Sequence, residues 1–383
     1  MIRISAIALA VAAASICAAS PGFADMKVGL TISATGPGAA LGTPEMKTVP
    51  VLPAEIGGQK VQYIPLDDAS DATKSATNMR KFVSEDKVDL VIGSTLTLTT
   101  LPLVDIAAES KTVLMATTAG AILVEPVDEK RRWVYKVVPN DRIGAVALAK
   151  YMAAQGIKTI GYIAFNDAYG EAWTREVTKA FPDNGMQIID TEAYARTDTS
   201  TTAQVLKLIA AKPDAIFIAA SGTPATVPAR ELREHGYKGP MFQTHGVASP
   251  AFIQAGGRDV EGTVISAEPF VVASQLPDDN PFKKVGLDYV AKYKEVNGTP
   301  PAIFGAHVVD AMSIIAAAMP EALKKGMPGT EAFRVGLRDS IEQVKGLHLN
   351  NGLLSMSATD HCGYADSSAV VMKVENGAFK LIQ

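Results

Sequence analysis

Cysteine is almost missing from this chain of 383 residues: there are 2, Cys17 and Cys362. Such scarcity excludes a disulfide-stapled scaffold and the paired thiols of C-x-x-C redox or zinc motifs. Basic charge is not in excess either, since 36 Lys and Arg face 40 Asp and Glu for a net −4. Without clustered Lys and Arg there is no nucleic-acid surface. Histidine is limited to 5, at 235, 245, 307, 348 and 361, scattered and with no second ligand at metal-binding spacing. There is no G-x-S-x-G elbow and no H-E-x-x-H, so the sequence offers no catalytic residue, metal site or cofactor. Asp360 and His361 are adjacent, but neighbours on a turn point apart. Cys362 reads as an inert thiol.

Turning to what is present, the first 24 residues, MIRISAIALAVAAASICAASPGFA, carry one positive charge, an apolar stretch and a Gly-Phe-Ala ending. That is the form of a secretory signal peptide cut after Ala24. The apolar run is shorter than the roughly 20 residues a membrane span needs, and no other segment is expected to reach that length. Lipid anchoring at Cys17 is disfavoured by bulky Ile16 in Ala14-Ser15-Ile16. Loss of Arg3, with no acid lost, moves the net charge from −4 to −5. The exported remainder is large enough for two domains, with stability drawn from the core.

Short β-branched runs alternate with stretches of helical period. The runs are 26–33, 59–68, 89–93, 112–118, 159–166, 186–194, 215–221, 241–246 and 263–270; helices are expected at 72–86, 142–156, 170–185 and 201–214. Repeated strand then helix means α/β architecture with parallel sheets wound on both faces. The pattern restarts near Lys158, which implies two similar lobes facing a cleft lined by strand C-terminal ends.

Within this frame the loop 33–42 contains Gly36, Gly38 and Gly42, but Pro37 and the Thr43-Pro44-Glu45 segment break the helix a dinucleotide would need. The stretch VDLVIGSTLTLTTLPLVDIA (88–107) is more informative, with five hydroxyls (Ser94, Thr95, Thr97, Thr99, Thr100) directly after an apolar strand. Hydroxyls there either cap the following helix or share its free amides with a bound anion. One suffices for a cap, and Thr117-Thr118 supplies a second pair at the neighbouring strand end. His245, ending a strand of the second lobe, is either a satisfied core histidine or a ligand donor.

The motifs "SATGPGAALG", "GGQKVQYIPLDDASDATKSA", "DLVIGSTLTLTTLPLVDIAAE", "VLMATTAG", "FNDAYGEAW" and "AIFGAHVVDAM" occur in an order that resembles type I periplasmic solute-binding proteins of ABC importers, in the leucine/isoleucine/valine-binding class. The resemblance implies two Rossmann-like doubly wound lobes joined by a three-strand hinge, with lobe one at 25–140 plus 271–346 and lobe two at 141–270 plus 347–383. It also implies a periplasmic monomer that presents its ligand to an inner-membrane ABC permease. In amino-acid binders of the class, a hydroxyl after the third strand and amides of the next turn hold the ligand carboxylate; those positions fall on Thr97 and Ala119, with Ser94 and Thr118 beside them. The groups that hold the ammonium correspond to His245 for an acid, Ala121 for a threonine and Leu41 for an aromatic. A further tyrosine corresponds to Ser221, while Tyr169 persists. The class's frequent disulfide is absent, with Ser70 and Leu96 in its two positions.

A buried ammonium without a carboxylate partner costs several kcal/mol. The expected ligand is therefore a small carboxylate with an uncharged body, as in the aromatic-acid branch of the class. Leu41 would pack on the ring and Ser221, Tyr169 or His245 would meet a ring hydroxyl. A branched-chain amino acid or amide would require Glu268 or Asp310 as ammonium partner. A chemoreceptor subunit, or a secreted hydrolase using Ser221 or Cys362, is the other alternative.

Overall fold

The computed structural model describes residues 25–382, so the expected signal peptide and Cys17 lie outside the described residues. The first sheet contains β1 (Met26–Ile32), β2 (Glu55–Ile56), β3 (Gln59–Asp67), β4 (Leu90–Gly93), β5 (Val113–Ala116) and β6 (Val134–Lys136). The second begins with β7 (Thr159–Phe165), β8 (Gln187–Tyr194), β9 (Ala215–Ala219), β10 (Met241–Gln243) and β11 (Val264–Ala267). A hairpin of β12 (Leu347–Leu349) and β13 (Gly352–Leu354) stands apart, and β14 (Val370–Glu375) and β15 (Ala378–Leu381) complete the second sheet. Each expected apolar run contains a strand. The runs overshoot at their C-terminal ends, where residues 117–118, 220–221 and 244–246 form turns. The short strands β2, β6, β12, β13 and β15 were not anticipated, because two to four residues carry too little periodicity to stand out; the six-residue β14 was missed as well.

Strand order is β2-β3-β1-β4-β5-β6 in one sheet and β15-β14-β11-β10-β9-β7-β8 in the other. The pairings from β3 through β6 and from β8 through β11 are parallel, and the edge strands β2, β14 and β15 are antiparallel. In each lobe the chain leaves its first strand to one side and returns on the other, so connections diverge between β1 and β4 and between β7 and β9. Such switch points open a crevice at the strand C-terminal ends. The segments after β1 and β4 bring Leu41, on helix Ala39–Thr48, and Thr95 to the first crevice, and those after β7 and β9 bring Tyr169, on helix Ala168–Asp183, and Ser221 to the second.

The chain passes between the lobes after β6, after β11 and before β14. Residues 347–364, expected with the second lobe, pack elsewhere: Leu349, Leu354, Met356, Cys362 and Tyr364 are buried in the cluster around the first sheet. Tyr364 donates to the Val137 carbonyl at 2.9 Å, so the last crossing comes only after it. Helix Ile303–Leu323 is 21 residues long and predominantly apolar, so one segment does exceed the expected limit. Its apolar surface is used in packing: 72% of its most apolar window is buried, against helices Ala39–Thr48 and Glu331–Ile341 and the first sheet.

A second correction concerns Pro44, which lies inside helix Ala39–Thr48 rather than ending it. Proline removes one helical hydrogen bond. Here tertiary contacts outweigh that loss: Thr43 donates to the Ala34 carbonyl at 3.2 Å, and Thr48 shares a 2.7 Å hydrogen bond with Tyr289. The helix also lies so close to the end of β1 that a Cβ on Gly42 would sit 2.1 Å from the Ser33 carbonyl oxygen. Gly170 repeats the device in the second lobe, 1.8 Å from the Phe165 carbonyl oxygen by the same construction. Only glycine lets helix and strand approach so closely at each switch point. Gly42→Ala is expected to lower stability by about 1–3 kcal/mol through forced displacement of the helix, read as a lower denaturation midpoint. An unchanged midpoint would mean the approach is slack.

Candidate functional site

The hydroxyls after β4 divide into two sets. Ser94 donates to Asp68 Oδ2 at 2.6 Å and shares a 2.7 Å hydrogen bond with Thr99. Asp68 also accepts from Thr31 at 3.2 Å, from Ser33 Oγ at 2.7 Å and from the Ser70 amide at 2.9 Å. One buried carboxylate thereby ties the ends of β1, β3 and β4 together. Thr100 turns back to the Ser94 and Leu96 carbonyls at 2.9 and 2.8 Å. Ser94, Thr99 and Thr100 are therefore spent within the fold. Ser94 does not face the cleft, contrary to expectation.

The remaining pair looks toward the cleft side. Thr95 accepts from the Ser33 amide at 2.9 Å and donates to Glu45 Oε2 at 2.5 Å. Thr97 is fully buried and shares a 3.0 Å hydrogen bond with Thr118. A Cβ at Gly120 would meet the Thr97 methyl at 2.9 Å, so this turn is tightly packed.

Between the lobes lies a cavity of about 20 Å³. Its first-lobe wall is Leu41, Thr95, Leu96, Thr117, Thr118, Phe304 and His307; Tyr169, Ser221, His245 and Gly246 face them, with Val138 at the first crossing. Of the residues expected at the site, Leu41, Thr118, Tyr169, Ser221 and His245 thus come together. Thr97, Ala119 and Ala121 do not line the cavity. Thr97 reaches it through Thr118, the Ala119 carbonyl is turned to the Lys136 ammonium, and Ala121 opens a short helical turn, Ala121–Leu123. Thr95 and Thr117 come from the two hydroxyl clusters singled out in the sequence, while Leu96, Val138, Gly246, Phe304 and His307 join the site unannounced. A cavity this size holds little more than one water, well below the roughly 300 Å³ of ligand pockets. Leu41 and Phe304 share an apolar cluster with the second sheet, so the lobes are closed on one another.

Two cations stand behind this wall. Lys136 is fully buried, and its ammonium donates to the Ala119 carbonyl and to Asn140. Arg196 follows β8, pairs with Asp167 and donates to Ser221 at 2.8 Å, its guanidinium lying 4.1 Å over the Phe165 ring. Two residues past a strand end, Arg196 occupies a position a search of strand ends could have found. Lys136 gave no sign, because nothing local shows that a strand lysine points inward.

The acids nearby are pushed toward neutrality. Burial raises Glu45 to about 8, against hydrogen bonds from Thr95 and Thr117, and its Oε1 has no partner. Burial likewise raises Asp141, Glu268 and Asp310 to about 7. Asp310 is engaged by the Asn350 and Asn351 amides at 3.1 and 2.9 Å, and neither it nor Glu268 lines the cavity. Burial, and then the charge of Lys136, lowers His245 to about 3, so its ring is neutral. Tyr169 is held by Thr244 at 2.7 Å and meets the His245 ring edge-on. Cys362 is buried with its thiol toward the Val138 carbonyl, and His361 bonds the Val134 carbonyl at 2.9 Å rather than Asp360.

Paired switch points facing one closed cleft define a known architecture, and a family model for periplasmic binding proteins matches residues 25–378. The chain belongs to the periplasmic binding protein family. An extracellular ligand-binding receptor from Rhodopseudomonas palustris HaA2 is 54% identical, with a TM-score of 0.92 over 94% of this chain and 100% of that one. "Leu/Ile/Val-binding protein homolog 3" of Brucella melitensis is 24% identical over 66% of this chain and 70% of its own length. A solute-binding protein of an ABC transporter from R. palustris, solved in complex with benzoate, shares the fold at 18% identity, with a TM-score of 0.78 over 94% and 96% of the two chains. The binding protein is thus a member of a periplasmic class of small-molecule receptors with the type I fold.

Ser94→Ala is expected to lower stability by about 1–2 kcal/mol, seen in denaturant titration, because Asp68 and Thr99 lose a buried partner. A free carboxyl raised from its unfolded 4.5 to about 8 weakens the fold as pH rises through that window. Glu45→Gln should therefore gain stability over wild type between pH 5 and 8, by up to about 1.4 kcal/mol per unit. A difference independent of pH would show that Glu45 ionises as freely in the fold as outside it.

Proposed function

We propose that this binding protein is a periplasmic receptor that captures a small carboxylate, an aromatic acid of the benzoate or hydroxycinnamate type, and delivers it as a monomer to an ABC permease. The observation that carries this reading is the polarity of the cavity wall. Thr118, backed by Thr97, offers a hydroxyl to the cavity beside Thr95 and Thr117, whose protons go to Glu45 and the Ser94 carbonyl; Lys136 stands behind them, and none of the described lining residues is acidic. Glu45 beside them is neutral at pH 7, so it does not repel an anion. Leu41, Leu96, Val138 and Phe304 supply an apolar wall for an uncharged body. The benzoate carried by a protein of the same fold supports this ligand class.

The names of the curated relatives favour a branched-chain amino acid instead. Against that reading, the ammonium would meet neutral His245 and the field of Lys136, with Glu268 and Asp310 outside the cavity wall. The 20 Å³ cavity also requires the lobes to part before any such ligand enters. Reclosure on contacts from both lobes is how a ligand shifts the population. No bond is made or broken in this cycle.

Ligand-stripped protein should be stabilised in a thermal-shift screen by benzoate, para-hydroxybenzoate or p-coumarate, and not by leucine or valine. A dissociation constant near micromolar, about 8 kcal/mol, suits capture; ligand at about a hundred times that constant stabilises by about 2.7 kcal/mol. Stabilisation by leucine alone would overturn the reading. Copurification with membrane components separates a permease partner from a chemoreceptor.

A further inference from the structure

His307 stands on helix Ile303–Leu323 and lines the cavity, yet it is only 2% exposed and neither ring nitrogen makes a hydrogen bond within the described residues. An unpaired buried imidazole is costly unless something else meets it. The Thr117 carbonyl is the backbone group that faces it. Whichever nitrogen turns to that carbonyl carries the proton, which leaves the other as an acceptor. Across the cleft, His245 is half-buried on the turn after β10. Its ring orientation is set by Trp173 and Tyr169, with centroids 5.8 and 6.2 Å away, and its nitrogens make no hydrogen bond to the described residues. Burial lowers both histidines to about 3, so each ring stays neutral with one donor and one acceptor.

Resting on the carboxylate reading above, we propose that His307 and His245, one imidazole from each lobe, bracket an uncharged hydroxyl on the ligand, which donates to His307 and accepts from His245. A hydroxyl is the ligand group that answers both demands. A carboxylate only accepts and an ammonium only donates. The receptor would then select hydroxylated acids over the bare acid, because a site built to bind a hydroxyl penalises the analogue that lacks one. Since the two imidazoles come from opposite lobes, this contact also rewards closure.

The test is calorimetric titration of wild type and His307→Phe with benzoate and its ortho-, meta- and para-hydroxy isomers. Wild type is expected to bind at least one isomer about tenfold or more tighter than benzoate, and that ratio should fall toward one in the variant. Should the variant not fold, nitrogen-labelled histidine in wild type supplies the readout: the favoured isomer, and not benzoate, should shift the ring resonances of His307. Benzoate binding with no hydroxyl preference, or a preference that survives His307→Phe without a ring shift, overturns the histidine pair and leaves the carboxylate reading standing. If the whole benzoate series fails to bind and leucine binds, both fall together.

Discussion

The site depends on one buried carboxylate. Asp68, at the end of β3, takes hydrogen bonds from Thr31, Ser33, the Ser70 amide and Ser94, and so pins the C-terminal ends of three strands to one another. Parallel strands leave their terminal amides and hydroxyls without partners in the ladder, and a buried donor left alone is costly. With that demand met on one side, the turn after β4 is held still and its other side is offered to the cleft. Thr95 and, through Thr97, Thr118 are aimed by this anchoring rather than by their own conformational preference.

A consequence is the electrostatic character of the cleft. Cations behind the wall keep their charge partners within the fold: Lys136 has carbonyl and amide oxygens, and Arg196 has Asp167. The acids near them are buried and pushed toward the neutral form. Burial penalises whichever charge has no partner, and here it silences carboxyls and imidazoles while leaving Lys136 held by oxygens. On the reading proposed above, this is the field that would receive an anion. The same closure that creates it reduces the cavity to about 20 Å³, so affinity and access are linked through lobe motion.

Much of the fold was legible from the chain alone. Strands of alternating β-branched residues, the restart near Lys158 and the order of the motifs led to two doubly wound lobes, because periodicity and strand-end loops are local properties. The misreadings were tertiary in origin. Pro44 looked like a helix breaker, and helix Ala39–Thr48 runs through it because its neighbours hold it in place. The hairpin around β12 and β13 looked like part of the last lobe, and Tyr364 binds it to the first. Ser94 looked like a ligand group, and its proton belongs to Asp68.

The sequence by itself placed Thr118, Ser221 and His245 at strand ends, and Leu41 and Tyr169 in the segments that follow β1 and β7, by pattern and motif order. Only the tertiary structure decided which of those strand ends meet, which hydroxyls are consumed inside the fold, and that His307 joins His245 from a helix nearly two hundred residues from β5. The physical reason is that side-chain alternation is written every second residue, whereas a hydrogen-bond partner across the cleft is chosen by packing between lobes that share no local code.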